Sequence, residues 1–131
     1  MTTKRDQEFK KLYDAADRAG KEAADARVPV PMYVVERENP FDDNSAVKTA
    51  YPPVMGGVCG FAWVIVRPAN SAFANYLRRI GVGRTDSYQG GLNIWVRDYG
   101  QSMEKKEAYA GAFANTLYAE GIKAYSYSRM D

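Results

Sequence analysis

Residues 58–68 read VCGFAWVIVRP, and the reading of this stretch decides the fold. It is the most apolar run in the chain, with Gly56-Gly57 before it and Pro68 and Asn70 after it. Val58, Gly60, Ala62, Val64 and Val66 point one way along an extended chain. Cys59, Phe61, Trp63, Ile65 and Arg67 point the other. Both sets are mostly apolar, and a strand apolar on both faces is covered on both, which makes this the central strand of a sheet.

Working outward, the C-terminal side alternates between helix and strand signals. Asn70 or Ser71 caps a helix running to Ile80, whose buried face is Phe73, Leu77 and Ile80. Gly81 ends it, with Arg78 and Arg79 placed well for the helix dipole. The segment Gly81–Gly91 is glycine-rich and lacks any nucleotide-loop spacing. It reads either as a flexible connection or as a loop whose amides and Arg84 meet an anion. Leu92–Tyr99 alternates as a strand. Ser102 caps a last helix with a stripe of Met103, Ala110, Phe113, Ala114 and Leu117, and Ile122–Tyr127 closes the chain as a short strand.

On the N-terminal side, Phe9, Leu12, Tyr13, Ala16 and Ala19 make one apolar stripe over Lys4–Ala26. The second half of that helix is Ala-rich and reads as its less firmly docked end. Met32–Arg37 is a short strand, placed at an edge by the prolines before it. Residues 38–57 form a long loop in which Asp42-Asp43-Asn44 makes a polar turn; the Gly and distant Glu of a calcium loop are missing. Loops of this length in compact domains are often functional, so this one is a secondary candidate for a partner contact.

The expected organisation is one domain over 1–131: an N-terminal helix (4–27), the long loop (38–57) and a β-α-β-α-β core (58–131). The fold class is an α+β or α/β sandwich. It has a small mixed sheet of three or four strands, two helices on one face, and the N-terminal helix on the other face or an edge.

Composition removes whole classes of chemistry. The chain has 131 residues, no histidine, one cysteine and a formal net charge of +2. Histidine-dependent nucleophilic and acid–base catalysis is excluded, and so are histidine metal sites and single-chain zinc or iron–sulfur centres. No carboxylate pair stands out, so an enzyme is not expected, nor a cofactor or metal. Cys59 reads as a small core side chain in a reducing compartment. There is no secretory leader pattern and no apolar run long enough to cross a membrane. A cytoplasmic protein is the expectation, with homo-oligomers possible.

One constellation carries a functional signal. If Leu92, Ile94 and Val96 face the helices, the opposite face gathers Trp95, Arg97, Tyr99, Lys123, Tyr125, Tyr127 and Arg129. Phe61, Trp63 and Arg67 join if the central strand turns its larger side chains the same way. Aromatics interleaved with Arg and Lys stack bases and neutralise phosphates. The alternative is that the N-terminal helix buries its stripe on this face, with the Arg and Lys stems packing over the rings.

At GGVCGFAWV (56–64), GRTDSYQGGLNIWV (83–96) and YGQSMEKKEAYAGAFANTLYAEGIKAYSYSRMD (99–131) the sequence resembles a group of small proteins of tailed bacteriophages and prophages. The resemblance carries over no catalytic or binding residue. It implies a phage origin, the bacterial host cytoplasm as compartment, and a stoichiometric binder. On that footing the first expectation is an accessory protein that occludes a host protein or defence complex. Its contact surface would be Arg84 and Tyr88 of the glycine loop with the Tyr125–Arg129 end. The second is a nucleic-acid or nucleotide binder using the aromatic–basic face, and the third is a virion or assembly component.

Overall fold

The apolar run is strand β3 (Gly60–Arg67), and it lies at the centre of a four-stranded sheet. The computed structural model describes residues 3–33, 35–42 and 44–131. Val34, within the expected strand 32–37, and Asp43, within the acidic turn, lie outside the described residues, as do Met1 and Thr2. Before β3 come α1 (Lys4–Ala26), β1 (Val35–Arg37) and β2 (Val47–Ala50). After it come α2 (Ala72–Arg79), β4 (Arg84–Thr85), β5 (Leu92–Trp95), α3 (Met103–Ala119) and β6 (Lys123–Met130).

The main sheet runs β4-β5-β3-β6, and every pairing in it is antiparallel. From β3 onward the chain therefore follows a β-α-β-β-α-β path: two split β-α-β units, each with a strand of the other unit inserted between its own two. The class is α+β, as expected, with the sheet antiparallel throughout rather than mixed. Registers pair Trp63 with both Trp95 and Tyr127, and Ile65 with both Asn93 and Tyr125. Residues directly opposite share a face, so these pairings sort the side chains.

One face is the core. Ala62, Val64 and Val66 of β3 meet Leu92, Val96 and Ala124, and α2 and α3 cover them with Phe73, Leu77, Phe113 and Leu117, all buried. Both helices begin at the expected serines. Ser71 accepts from the Ala74 N–H at 3.2 Å and Ser102 from the Lys105 N–H at 3.3 Å. Such caps contribute about 1 kcal/mol each.

The N-terminal helix joins this same helical layer and leaves the opposite sheet face uncovered. Phe9 packs edge-on against Phe73 at 5.3 Å, and Tyr13 against Phe113 at 5.8 Å. The Ala-rich half of α1 is firmly docked, contrary to its weak apolarity. Ala16, Gly20 and Ala24 are buried, and a Cβ at Gly20 would stand 2.6 Å from the Tyr109 ring of α3. Small residues let two helices approach closely, so weak hydrophobicity here reflects close packing.

Tyr109 also donates a very short hydrogen bond to Asp17, which accepts from Lys21 at 3.0 Å as well. Burial acts to raise the Asp17 carboxyl, but the bonds from Tyr109 and Lys21 outweigh it and hold the group below the usual range. Burial, then Asp17, pushes the Tyr109 phenol far up. The depressed Asp17 contributes stability above pH about 4, which is lost as pH falls through its folded value. The raised Tyr109 contributes stability below pH about 10, which is lost as pH climbs beyond it. Tyr109→Phe should therefore cost about 1–3 kcal/mol at neutral pH and flatten the acid limb. Urea unfolding from pH 3 to 8 checks this; an unchanged acid limb would contradict it.

The long loop contains one strand that its sequence did not announce, β2; its partner β1 falls within the expected strand 32–37. β1 and β2 pair as an antiparallel hairpin, extended by a Met32–Val54 bridge. They pack on each other and scarcely on the rest. The hairpin's root is held at the start of α3, where Glu104 Oε2 accepts from the Val30 N–H at 2.8 Å and Lys105 Nζ donates to the Ala24 carbonyl at 2.8 Å. Asp42 serves the polar turn, accepting from the Asn44 N–H at 2.9 Å.

Candidate nucleic-acid interface

The face that no helix covers is built by the alternation of three strands. β3 supplies Phe61, Trp63, Ile65 and Arg67; β5 supplies Asn93 and Trp95; β6 supplies Lys123, Tyr125, Tyr127 and Arg129. Arg84 of β4 stands opposite Asn93 and so joins them.

Across the middle of this face the rings form a row. Trp63 lies parallel to Trp95, with centroids 5.4 Å apart and planes at 6°. On its other side Trp63 stacks on Tyr127 at 6.2 Å and 19°. Phe61 leans on Trp95 at 5.4 Å with its plane tilted by 39°. Cross-strand aromatic pairs of this kind contribute roughly 0.5–1.5 kcal/mol beyond the area they bury.

One end of the row is closed. The turn Asp86–Gly91 folds over Ile65, which is fully buried. Trp63 Nε1 donates to Gln89 Oε1 at 2.7 Å, and Arg67 donates to the Gln89 carbonyl and to the Tyr127 hydroxyl, each at 3.2 Å. The Arg67 guanidinium sits 5.6 Å from the Tyr125 ring and 5.9 Å from that of Tyr127. Asp86 organises the turn from within, accepting from the Tyr88 and Gln89 amides at 2.8 Å and from Asn93 at 3.1 Å. Those bonds, led by the Gln89 amide, hold its carboxyl below the usual range. Gly91 has φ +80°, and a Cβ there would stand 2.7 Å from Ile65 Cγ2 and from the Val66 carbonyl oxygen. Gly91→Ala should cost about 1–3 kcal/mol and loosen the turn. Chemical denaturation measures this, and a variant as stable as the parent would show that the turn is not clamped to the strand.

The other end is open and basic. Arg129 lies 5.5 Å from the Phe61 ring. Lys106, buried in α3, donates to the Gly60 carbonyl at 3.1 Å and places its ammonium 5.3 Å from the same ring. The Val96 N–H bonds to the Ala62 carbonyl at 3.0 Å, which carries the register of β5 onward and brings exposed Arg97 to this end. Five ion pairs occur among the described residues, and all lie on the helices, the β1–β2 hairpin or the hairpin's root. None involves Arg67, Arg84, Arg97, Lys123 or Arg129.

The expected site residues divide accordingly. Arg84, Trp95, Lys123, Tyr125, Tyr127 and Arg129 share the face, and Arg97 borders it. Tyr99 lies elsewhere: its φ of +76° breaks the alternation, and its ring packs on Tyr109 at 6.1 Å on the helical side. Tyr88 sits at the tip of the turn, 97% exposed, in ring contact with none of the others. Phe61, Trp63 and Arg67 belong to the site, as the alternation of β3 allowed. Gln89 had no signal, being one polar residue in a glycine-rich turn.

Among the described residues, no three His, Cys, Asp or Glu side chains gather as metal ligands, and no helix is long and apolar enough to cross a membrane. No family model, curated protein or solved structure matches this chain.

Proposed function

We propose that the protein binds single-stranded nucleic acid on the helix-free face of its sheet. The observation that carries this is the Trp95–Trp63–Tyr127 row lying among cations that have no carboxylate partner among the described residues. Paired cations contribute little to a passing anion; unpaired ones on a shared face attract phosphate. Bases stack on protein aromatics only when splayed from a duplex, which selects single strands or loops. A four-stranded sheet with helices behind and aromatics in front meets that requirement; its likeness to RNA-binding sheets is one of geometry alone. Fluorescence anisotropy with labelled single-stranded DNA and RNA tests it. Affinity should fall steeply between about 50 and 200 mM salt. No binding to any oligonucleotide at the lower salt would end the proposal.

A second reading keeps a host protein as partner, in line with the resemblance to phage proteins. What favours it is the β1–β2 arm, where Phe41 is 98% exposed and Val35, Val47 and Tyr51 are also exposed. Monomeric proteins seldom present apolar side chains so concentrated. A photoreactive group at position 41 should yield one discrete adduct in host extract; a smear or no adduct counts against it.

A further inference from the structure

On the reading that the sheet face binds nucleic acid, we infer that the strand is gripped one nucleotide at a time. The grip is a slot at the open edge of β5, with a base laid on the outward ring face of Trp95. The aromatic row itself rules out the other positions. Trp63 has Trp95 against one ring face and Tyr127 against the other, and its N–H is already bonded to Gln89. Tyr125 and Tyr127 share the Arg67 guanidinium. A base cannot insert there without breaking contacts already made. Trp95 ends the row towards β4, with Phe61 leaning on it at 5.4 Å and a tilt of 39°, and it is 40% exposed.

What lies beyond Trp95 is space. β4 pairs only with Leu92 and Asn93, so on the side away from β3 no strand among the described residues lies beside β5 from Ile94 onward. The chain opposite is Gly81-Val82-Gly83, and a Cβ at Gly81 would meet nothing within 4 Å. Trp95 and these residues line one groove of about 930 Å³, which extends to Tyr13, Asp17 and Tyr109 on the helical side. That volume is in the range of small-ligand sites. Its rim carries Arg84 and Arg97, both exposed and outside every ion pair among the described residues. Lys21, by contrast, is spent on Asp17. Asp98 on the same rim offers an acceptor suited to a ribose hydroxyl. A flat ring to stack on, two free guanidiniums and a carboxylate together fit a nucleoside phosphate and suit a bare anion poorly.

The test follows binding of a fluorescent six-residue adenosine oligoribonucleotide to the full chain. Trp95→Leu and, independently, the surface change Arg84→Glu should each weaken it about tenfold. Lys11→Glu, on the outer surface of α1 and away from the groove, should change it by less than about threefold. Millimolar adenosine monophosphate should displace the oligonucleotide, whereas inorganic phosphate at equal concentration and ionic strength should not. If Lys123→Glu abolishes binding while the slot variants bind normally, the slot is wrong and binding to the wider face survives. Failure of the monophosphate to compete also overturns the single-nucleotide slot. If the unaltered protein binds no oligonucleotide at all, the broader reading falls with it. Arg84→Glu keeps the outcome decisive should Trp95→Leu disturb the row.

Discussion

Phe113→Ala should cost the fold about 3–5 kcal/mol, among the largest losses available to a single substitution here. Phe113 is 1% exposed and stands where α1 and α3 meet over the sheet. Its ring meets Tyr13 edge-on at 5.8 Å and Tyr109 at 5.8 Å and 30°. Truncation removes the transfer free energy of a whole ring and leaves a cavity between helices already packed closely at Gly20. Domains of this size are stable by only about 5–15 kcal/mol, so roughly a fifth of the total or more is at stake. The measurement is the urea midpoint at constant m-value. A loss under about 1.5 kcal/mol would mean that α1 is loosely held and that the helical layer can close without it.

The second large effect concerns binding. Arg97→Glu with Arg129→Glu should reduce affinity for a single-stranded oligonucleotide about a hundredfold. It should also flatten the plot of log affinity against log salt by about 1.4, two phosphate contacts at roughly 0.7 each. Both side chains are exposed and lie outside every ion pair among the described residues, so the fold should be spared. Lys106 beneath the Phe61 ring would remain as a buried positive charge, leaving residual affinity. A double variant with unchanged salt dependence would place the phosphates elsewhere.

The sequence made the sheet legible where local pattern and tertiary role agree. Two apolar faces marked β3 as central, alternation marked β5 and β6, and Ser71 and Ser102 marked helix starts where they occur. What stayed hidden depends on contacts between distant segments. The stripe on α1 says that it must be buried, but nothing in the stripe says whether on the sheet or on other helices. Gly20 reads as a weak helix residue until the Tyr109 ring is seen lying against it. The pairing of β1 with β2 joins VER to VKTA across polar turns, and VKTA, four residues inside the long loop, has no periodic signal of its own. β4 is two residues long and owes its existence to Asn93 and Leu92. For the candidate site, residue types and alternation were enough to gather the aromatic and basic side chains on one face. Tyr99 escaped because a positive φ at that residue breaks the alternation that Val96 and Arg97 still follow. Gln89 escaped because a turn's fold-back over a strand leaves no mark in composition.

The most direct measurement is a map of which surface a bound strand touches. Backbone amide shifts of the labelled protein, titrated with a single-stranded hexanucleotide at about 50 mM salt, give that map residue by residue. Perturbations should concentrate at Phe61–Trp63, Gly81–Thr85, Asn93–Arg97 and Tyr127–Arg129, with α1 and the β1–β2 arm unchanged away from the groove. Shifts confined to the arm, or to the outer surfaces of α1 and α3, would contradict a binding face on the open side of the sheet.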